Sequence, residues 1–390
     1  MAGWCPNGSW SGGICKPANN NRSNWMERYS GARVLPIGEC VLLGTHNSGY
    51  DKQGPHSPSS QTCQDVPIYD QLKWGIRVLD LRVQFFQKRQ GEGRFGIFHD
   101  TDNGRYIERD VLQPLLRFRR DYNAQREIVI LNFHRFKNFT AEAHKELAGV
   151  LKQVLGKTVV PPACKALAVA QLWELGTNTV VSYNHGSRDA SFWPGVNQRW
   201  IGHNQPRLAV LKAFVEKVGT EPKAFGDLRS VQAARYREPF FVPHDLSGEV
   251  MGWFAYKPQG GPINKHYIIN TDWSLRCRMV DNVIAANGLR ARQRGAHVIR
   301  SSPDTDRSAS RLQTQSYGIF NMGNGYWSPS LDFAANTSGY TSIQVITSDA
   351  DYASEIRYGA SSQPIKRGDR LVFRVEPGKT PVLLARFNNA

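Results

Sequence analysis

The sequence predicts an α/β protein: a distorted barrel of alternating strands and helices, followed by a small C-terminal all-β domain. Three observations carry this reading. Short apolar runs alternate with amphipathic helical patterns over residues 36–300. The composition then turns to Ser, Asp, Arg and Gln over 301–316, and beyond that no helical period returns.

Residues 1–35 are rich in Gly, Asn, Ser and Pro and read as an irregular segment. Strands are expected at Cys40–Gly44, Arg77–Val83, Arg94–His99, Glu127–Phe133, Thr179–Tyr183 and His266–Asn270, each a short apolar or β-branched run. Helices fall between several of them. In Arg109–Arg120, Val111, Leu112, Leu115, Leu116 and Phe118 lie mainly on one side. Ala141–Leu155 repeats apolar residues at three and four through Ala143, Leu147, Val150, Leu151 and Val154. Pro206–Val218 and Arg278–Leu289 behave similarly. Six to eight strands alternating with helices point to a TIM-type (β/α) barrel. Residues 301–316 read as a linker. Residues 317–390 read as the all-β domain, with strands at Ser342–Thr347, Glu355–Tyr358, Arg370–Val375 and Val382–Phe387, and turns within Gly359–Arg370 and Pro377–Pro381.

Of the 390 residues, 40% are hydrophobic and 21% charged, as in ordinary globular chains, and no run of 18 apolar residues offers a membrane span. The net charge is +16. Residues from Ser301 onward carry nine basic and eight acidic side chains, so nearly all of the surplus belongs to the first 300. Such a field favours nucleic acid, an anionic membrane or a phosphorylated substrate. No recognition helix, zinc finger or stacking platform accompanies it, which argues against nucleic acid. The cysteines are Cys5, Cys15, Cys40, Cys63, Cys164 and Cys277, with no CxxC pair to suggest a zinc ribbon. Cys5 with Cys15, and Cys40 with Cys63, bracket loops that disulfides could staple in an exported protein. Buried free thiols fit as well.

Three segments carry chemistry. Leu42-Leu43-Gly44-Thr45-His46-Asn47-Ser48-Gly49 puts a histidine just past an apolar strand, at the barrel end where catalytic groups collect, with Gly44 and Gly49 permitting a sharp turn and close approach. In Gly75 through Val83, alternation sends Arg77, Leu79, Leu81 and Val83 one way and Val78, Asp80 and Arg82 the other. A paired Asp80 and Arg82 can be a structural ion pair, or Asp80 can orient Arg82 toward a phosphate. Gly96-Ile97-Phe98-His99-Asp100 ends a third strand on histidine beside a carboxylate. Two strand-end imidazoles and a guanidinium suit phosphodiester cleavage: one imidazole takes a hydroxyl proton, the other protonates the leaving oxygen, and the arginine stabilises charge on phosphorus.

These landmarks, with Glu127-Ile128-Val129-Ile130-Leu131-Asn132-Phe133, occur in the order and spacing of the bacterial phosphatidylinositol-specific phospholipases C, and residues 35–295 resemble that X-domain-like family. The resemblance implies that the chain cleaves phosphatidylinositol to diacylglycerol and inositol 1,2-cyclic phosphate. It makes His46 the general base, His99 the general acid, Arg82 the replacement for the calcium of eukaryotic relatives, Asp272 the carboxylate orienting the base, and Asp80 the partner of the arginine. Asp272 could instead cap the helix that follows. His134, Asn184, Trp200 and His203, with Asn47, are the expected substrate contacts. No cofactor or metal is implied. An anionic phospholipid at a membrane surface is the expected partner, with no stable protein partner, and a secreted, membrane-peripheral location follows, although Met1–Trp10 lacks the basic and apolar regions of a secretory signal.

The chain departs from the family at Asn47, where bacterial members often carry Asp, at Asn184, near a family arginine, and at His203, near a family aspartate. Two other functions compete. A calcium-dependent phosphodiesterase acting on another phospholipid would coordinate the metal through Asn47, Asp80 and Asp100, but Arg82 would place a fixed positive charge in that site. A catalytically silent lipid- or glycan-binding protein would use Tyr317, Phe320, Tyr326, Trp327 and Tyr340 of the β domain, residues that could equally form its core.

Overall fold

A computed structural model describes the strands at 9–11 and 14–16, residues 22–28, 30–237 and 241–302, and the strands at 313–320, 331–332, 341–347, 353–358, 361–364, 370–375 and 382–387. It divides into two compact units. One comprises Met1–Tyr29, Gly38–Lys165 and Gly176–Ala286; the other comprises Ser30–Ile37, Ala166–Leu175 and Asn287–Ala390.

The first unit is built on ten strands: β1 (Leu42–Thr45), β2 (Val78–Phe85), β3 (Phe95–Phe98), β4 (Asp102–Tyr106), β5 (Val129–Lys137), β6 (Thr179–Tyr183), β7 (Trp193–Pro194), β8 (Asn197–Arg199), β9 (Arg229–Ala233) and β10 (Ile268–Thr271). Eight of them pair in parallel in the order β8-β9-β10-β1-β2-β5-β6-β7, while β3 and β4 hang antiparallel from β2. This is the sequential ring of a TIM-type barrel, with no ladder joining β7 to β8. The barrel is distorted because only two residues separate those strands, leaving no room for a crossover helix.

Apolar strand residues build the core: Leu42, Leu43, Leu79, Leu81, Ile130, Leu131, Val180, Val181, Ile268 and Ile269 are all buried. Helix Ala141–Leu155 follows its predicted bounds. Thr140 caps it by accepting from the Ala143 amide at 3.2 Å, and Ala143, Leu147, Leu151 and Leu155 bury one stripe. The helix expected at Arg109–Arg120 is two pieces, a π-helical turn Ile107–Leu112 and an α-helix Gln113–Asp121 with Pro114 in its first turn. The amino-terminal segment is not wholly irregular: Ser9–Ser11 pairs with Ile14–Lys16, and the short helix Trp25–Arg28 buries Trp25 and Met26. Cys40, Cys63 and Cys277 are buried free thiols and Cys164 is a half-buried one, so Cys40 and Cys63 form no disulfide; Cys5 lies outside the described residues.

In the second unit, β11 (Gly295–Ser302), β12 (Gln313–Phe320), β13 (Leu331–Asp332), β14 (Thr341–Thr347), β15 (Ala353–Tyr358), β16 (Ser361–Pro364), β17 (Arg370–Val375) and β18 (Val382–Phe387) form two four-stranded antiparallel sheets, β12-β11-β14-β17 and β13-β18-β15-β16. The first strand of this module starts inside the stretch read as the end of the barrel and runs into the expected linker. Gly295–Ser302 pairs along its length with both β12 and β14, and that two-sided pairing outweighs its modest apolar content. Ser361–Pro364 likewise forms a strand within the expected turn. Tyr326, Trp327 and Tyr340 lie outside the described residues, and Tyr317 and Phe320 fall on β12.

Candidate active site

The carboxyl ends of the barrel strands surround a cavity of about 830 Å³, lined by His46, Arg82, His99, His134 and Trp200 among the expected residues and by Arg135, Gln198, Asn204, Tyr236 and Phe241 among others. His46 leaves the end of β1, where a side chain on Gly44 would collide with the Asn270 side chain. The sharp turn is made by Asn47 rather than by a glycine. Its φ of 47° lies in the left-handed region, which asparagine tolerates better than most residues.

His46 is buried and fixed from both sides. Its Nδ1 lies 2.8 Å from Asp272 Oδ1, while Nε2 faces Asn47 Nδ2 at 3.2 Å and Arg82 Nη2 at 3.3 Å. Neither an amide NH₂ nor a guanidinium can accept a hydrogen bond, so Nε2 is the acceptor and the ring proton sits on Nδ1, donated to Asp272. Gln64 secures the backbone beneath, its Nε2 donating to the carbonyls of His46 and Thr271 at 2.9 and 3.0 Å. The imidazole thus presents a lone pair beside a fixed positive charge.

Asp80 does not pair with Arg82. Its oxygens accept from the Asn47 amide at 3.1 Å and from Gln198 Nε2 at 3.2 Å, and His134 Nδ1 lies 2.5 Å away. Burial acts to raise its pKa, but the charges of His134, His46 and Arg82 overcome it and hold the carboxyl below its usual range. Asp80 is therefore an anion held among the Asn47 amide, Gln198 and His134, a different position from the arginine-orienting one expected for it.

His99 ends the β3 segment. Its backbone amide donates to the Tyr50 hydroxyl at 2.8 Å, and the two rings meet edge to face at 5.8 Å. Asp100 Oδ2 is 3.5 Å from Nδ1, but that carboxylate is largely exposed. Burial first, then the charges of Arg82, His46 and Arg135, lower the His99 pKa to about 3. His99 is consequently neutral at neutral pH. The folded chain binds one proton fewer than the unfolded chain between that value and the ordinary histidine pKa of about 6.5, so this group's contribution to stability is lost as pH falls through the window. A histidine-resolved NMR titration of the ligand-free protein will place His99 well below 6, and Arg82→Gln will raise it. A wild-type His99 titrating near 6.5 would contradict the geometry.

Several lining residues were not read from the sequence. In β5 the register against β2 slips between Leu81 and Arg82, so that Asp80 faces Asn132 but Arg82 faces Arg135. The extra residue is His134, and both it and Arg135 reach the cavity, where strict alternation would turn Arg135 outward. Gln198 sits on a three-residue polar strand with no apolar pattern to reveal it. Asn184 and His203 stay out of the cavity lining. Asn184 is exposed and donates to the His134 carbonyl at 3.4 Å, and Asn204 lines the wall instead of the exposed His203.

Among solved structures, the phosphatidylinositol-specific phospholipase C from Listeria monocytogenes matches with a TM-score of 0.52 at 14% identity, covering 68% of this chain and 98% of that one. The chain carries the fold of the bacterial phosphatidylinositol-specific phospholipases C. A double mutant of the Staphylococcus aureus phosphatidylinositol-specific phospholipase C matches with a TM-score of 0.50 at 13% identity, over 68% of this chain and 97% of that one. In sequence, the chain is 26% identical over 244 residues to PI-PLC X domain-containing protein 1 of Danio rerio, spanning 55% of this chain and 77% of the relative. Outside the barrel, the family described as the beta-sandwich domain of metalloprotease StcE matches residues 315–378. No described helix is long and apolar enough to cross a membrane.

Proposed function

We propose that this protein is a phosphodiesterase of the phosphatidylinositol-specific phospholipase C type, cleaving phosphatidylinositol to diacylglycerol and inositol 1,2-cyclic phosphate without a metal. The observation that carries the reading is His46 held with its lone pair toward the cavity, between Asp272 at 2.8 Å and Arg82 at 3.3 Å. The similarity to phospholipases C supports the reaction class.

In this mechanism His46 Nε2 takes the proton of the inositol 2-hydroxyl, and Asp272 stabilises the imidazolium that forms. The hydroxyl oxygen attacks phosphorus and the bond to the glycerol oxygen breaks. His99 gives its proton to that oxygen, and Arg82 offsets the charge growing on the phosphoryl oxygens. His99 must carry a proton at that moment although it is neutral at rest. The bound phosphodiester anion supplies the condition, because it offsets the Arg82 charge that helps to hold the His99 pKa down. The nucleophile belongs to the substrate, so its high effective molarity lowers the barrier further.

A calcium site does not suit these residues. Asp80, its central ligand, already faces the Asn47 amide, Gln198 and His134, and the Arg82 guanidinium brings a fixed positive charge to the same cavity. A membrane surface suits the exterior. Trp200 and Phe241 are exposed where they line the cavity, and the +16 charge favours an anionic bilayer, each near-surface basic residue contributing about 1 kcal/mol. Secretion would give the protein access to such a surface.

Phosphorus NMR of the products released from phosphatidylinositol vesicles tests the proposal. A five-membered cyclic phosphate is expected at equal rates with and without excess chelator. A linear phosphomonoester as the first product, or loss of turnover in chelator, would sink it.

A further inference from the structure

His46 has another neighbour that the proposed phosphodiester chemistry does not use. Cys63 is completely buried, and its sulfur, a ring nitrogen of His46 and a carboxylate oxygen of Asp272 all lie within 4.8 Å of one another. Two acceptors in the same pocket of structure are orphaned: Asp272 Oδ2 and Asn47 Oδ1 are buried without a hydrogen-bond partner. The Asn47 amide nitrogen spans the gap between the two soft ligands, 3.2 Å from His46 Nε2 and 3.4 Å from Cys63 Sγ. We propose that His46, Cys63 and Asp272 form an inhibitory site for a borderline-soft divalent cation of the zinc class.

The geometry is close to what such an ion needs. Three atoms no more than 4.8 Å apart enclose a point about 2.8 Å or less from each, so contraction by roughly half an ångström brings them to zinc–ligand distances of about 2.0–2.3 Å. Thiolate and imidazole donors select zinc-like ions over calcium and magnesium, which prefer all-oxygen sites. Two anionic ligands, the Cys63 thiolate and the Asp272 carboxylate, offset the ion's charge beside Arg82. His46 and Tyr236, whose phenol faces Cys63, both line the cavity.

Burial, with Asp272 next to it, keeps the Cys63 thiol protonated well above its ordinary range. A bound divalent ion reverses that preference: the S–H proton leaves to solvent, the sulfur–metal bond forms, and waters leave the ion. Affinity therefore rises about tenfold per pH unit below the thiol pKa. Inhibition follows from the ligand set. If Nε2 binds the ion, the basic lone pair is consumed; if Nδ1 binds it, the hydrogen bond to Asp272 is lost. The inhibitory effect rests on the phosphodiesterase reading, whereas the binding does not.

The test uses the full chain and zinc ion alone, titrated in competition with a chromophoric chelator, with cobalt(II) as the spectroscopic probe. One zinc per chain is expected, tightening about tenfold per pH unit, with a near-ultraviolet thiolate-to-cobalt band. Cys63→Ala should keep turnover, lose the band and bind zinc at least about 100-fold more weakly, since losing an outer partner alone costs 10–100-fold. Equal binding by Cys63→Ala, or a wild-type chain that binds no zinc, overturns the site. If Cys63→Ala melts early, the nearly isosteric Cys63→Ser decides by the same readouts. Zinc binding with a Cys63-dependent band in a chain lacking phosphodiesterase activity would keep the metal site and remove the proposed function; an active chain that binds no zinc would do the reverse, and activity insensitive to bound zinc would overturn the inhibition.

Discussion

Replacing His46 with alanine will lower phosphodiester turnover by about 10⁴-fold, and Asp272→Asn will lower it by about 10²–10⁴-fold, with neither change altering the melting temperature by more than a few degrees. The first substitution removes the lone pair that His46 Nε2 holds at the cavity beside Arg82. The second keeps the shape of the partner but replaces a charged acceptor, at 2.8 Å from Nδ1, with an amide that can donate as well as accept. The ring then loses the anion that stabilises the imidazolium formed when Nε2 takes the proton. Because the two residues act as one unit, the double variant should be scarcely slower than His46→Ala alone. Steady-state rates on a soluble inositol phosphodiester, beside thermal melts, provide the check. Near-normal turnover in purified His46→Ala would remove the assignment.

Glu127→Ala is expected to be the most damaging single change to stability, at about 3–5 kcal/mol, because it strips the partner from a buried guanidinium. Arg77 and Glu127 are both fully buried, with Nη2 to Oε2 at 2.6 Å and Nε to Oε2 at 2.8 Å. The pair also gathers the amino-terminal segment. Arg77 donates to the carbonyls of Arg22 and Ser23, and the Glu127 oxygens accept from the amides of Met26 and Glu27. Removing the carboxylate leaves an unpaired buried cation and two unsatisfied amides together. For a unit of this size the loss corresponds to a fall in melting temperature of roughly 10 °C. Arg77→Met combined with Glu127→Leu should recover much of it, since an apolar pair of similar volume leaves no unpaired charge. Thermal and urea unfolding will decide, and a shift of under two degrees for Glu127→Ala would refute the account.

The parts of the fold legible in the sequence are those whose pattern is set by apolar burial. Helix Ala141–Leu155 and strands β6, β17 and β18 have their predicted bounds, because their apolar residues repeat at the period of the element and turn or capping residues end them. His46 and His99 stood out because each closes such an apolar run. Strands β8 and β9 did not, because Asn197–Arg199 and Arg229–Ala233 turn polar groups such as Gln198 and Gln232 toward the cavity and so lack alternation. The position of Asp80 was hidden for another reason. Spacing two residues from Arg82 suggested a pair, but the partners that hold it come from positions 47, 134 and 198, brought close only by closing the barrel. Arg135 was hidden by the slipped register, which no period-two reading contains.

The missing ladder between β7 and β8 has a mechanical meaning. A ring of strands bonded all the way round has one circumference, set by strand number and stagger, and cannot open without breaking hydrogen bonds. Here the run of ladders is C-shaped. Trp193–Pro194 and Asn197–Arg199 form its two lips, and the neighbouring Gln198 and Trp200 both line the cavity. Gly195 and Val196 tie the lips together, so the ring is closed at this point by covalent chain in place of a hydrogen-bonded ladder, while every ladder from β8 round to β7 is intact.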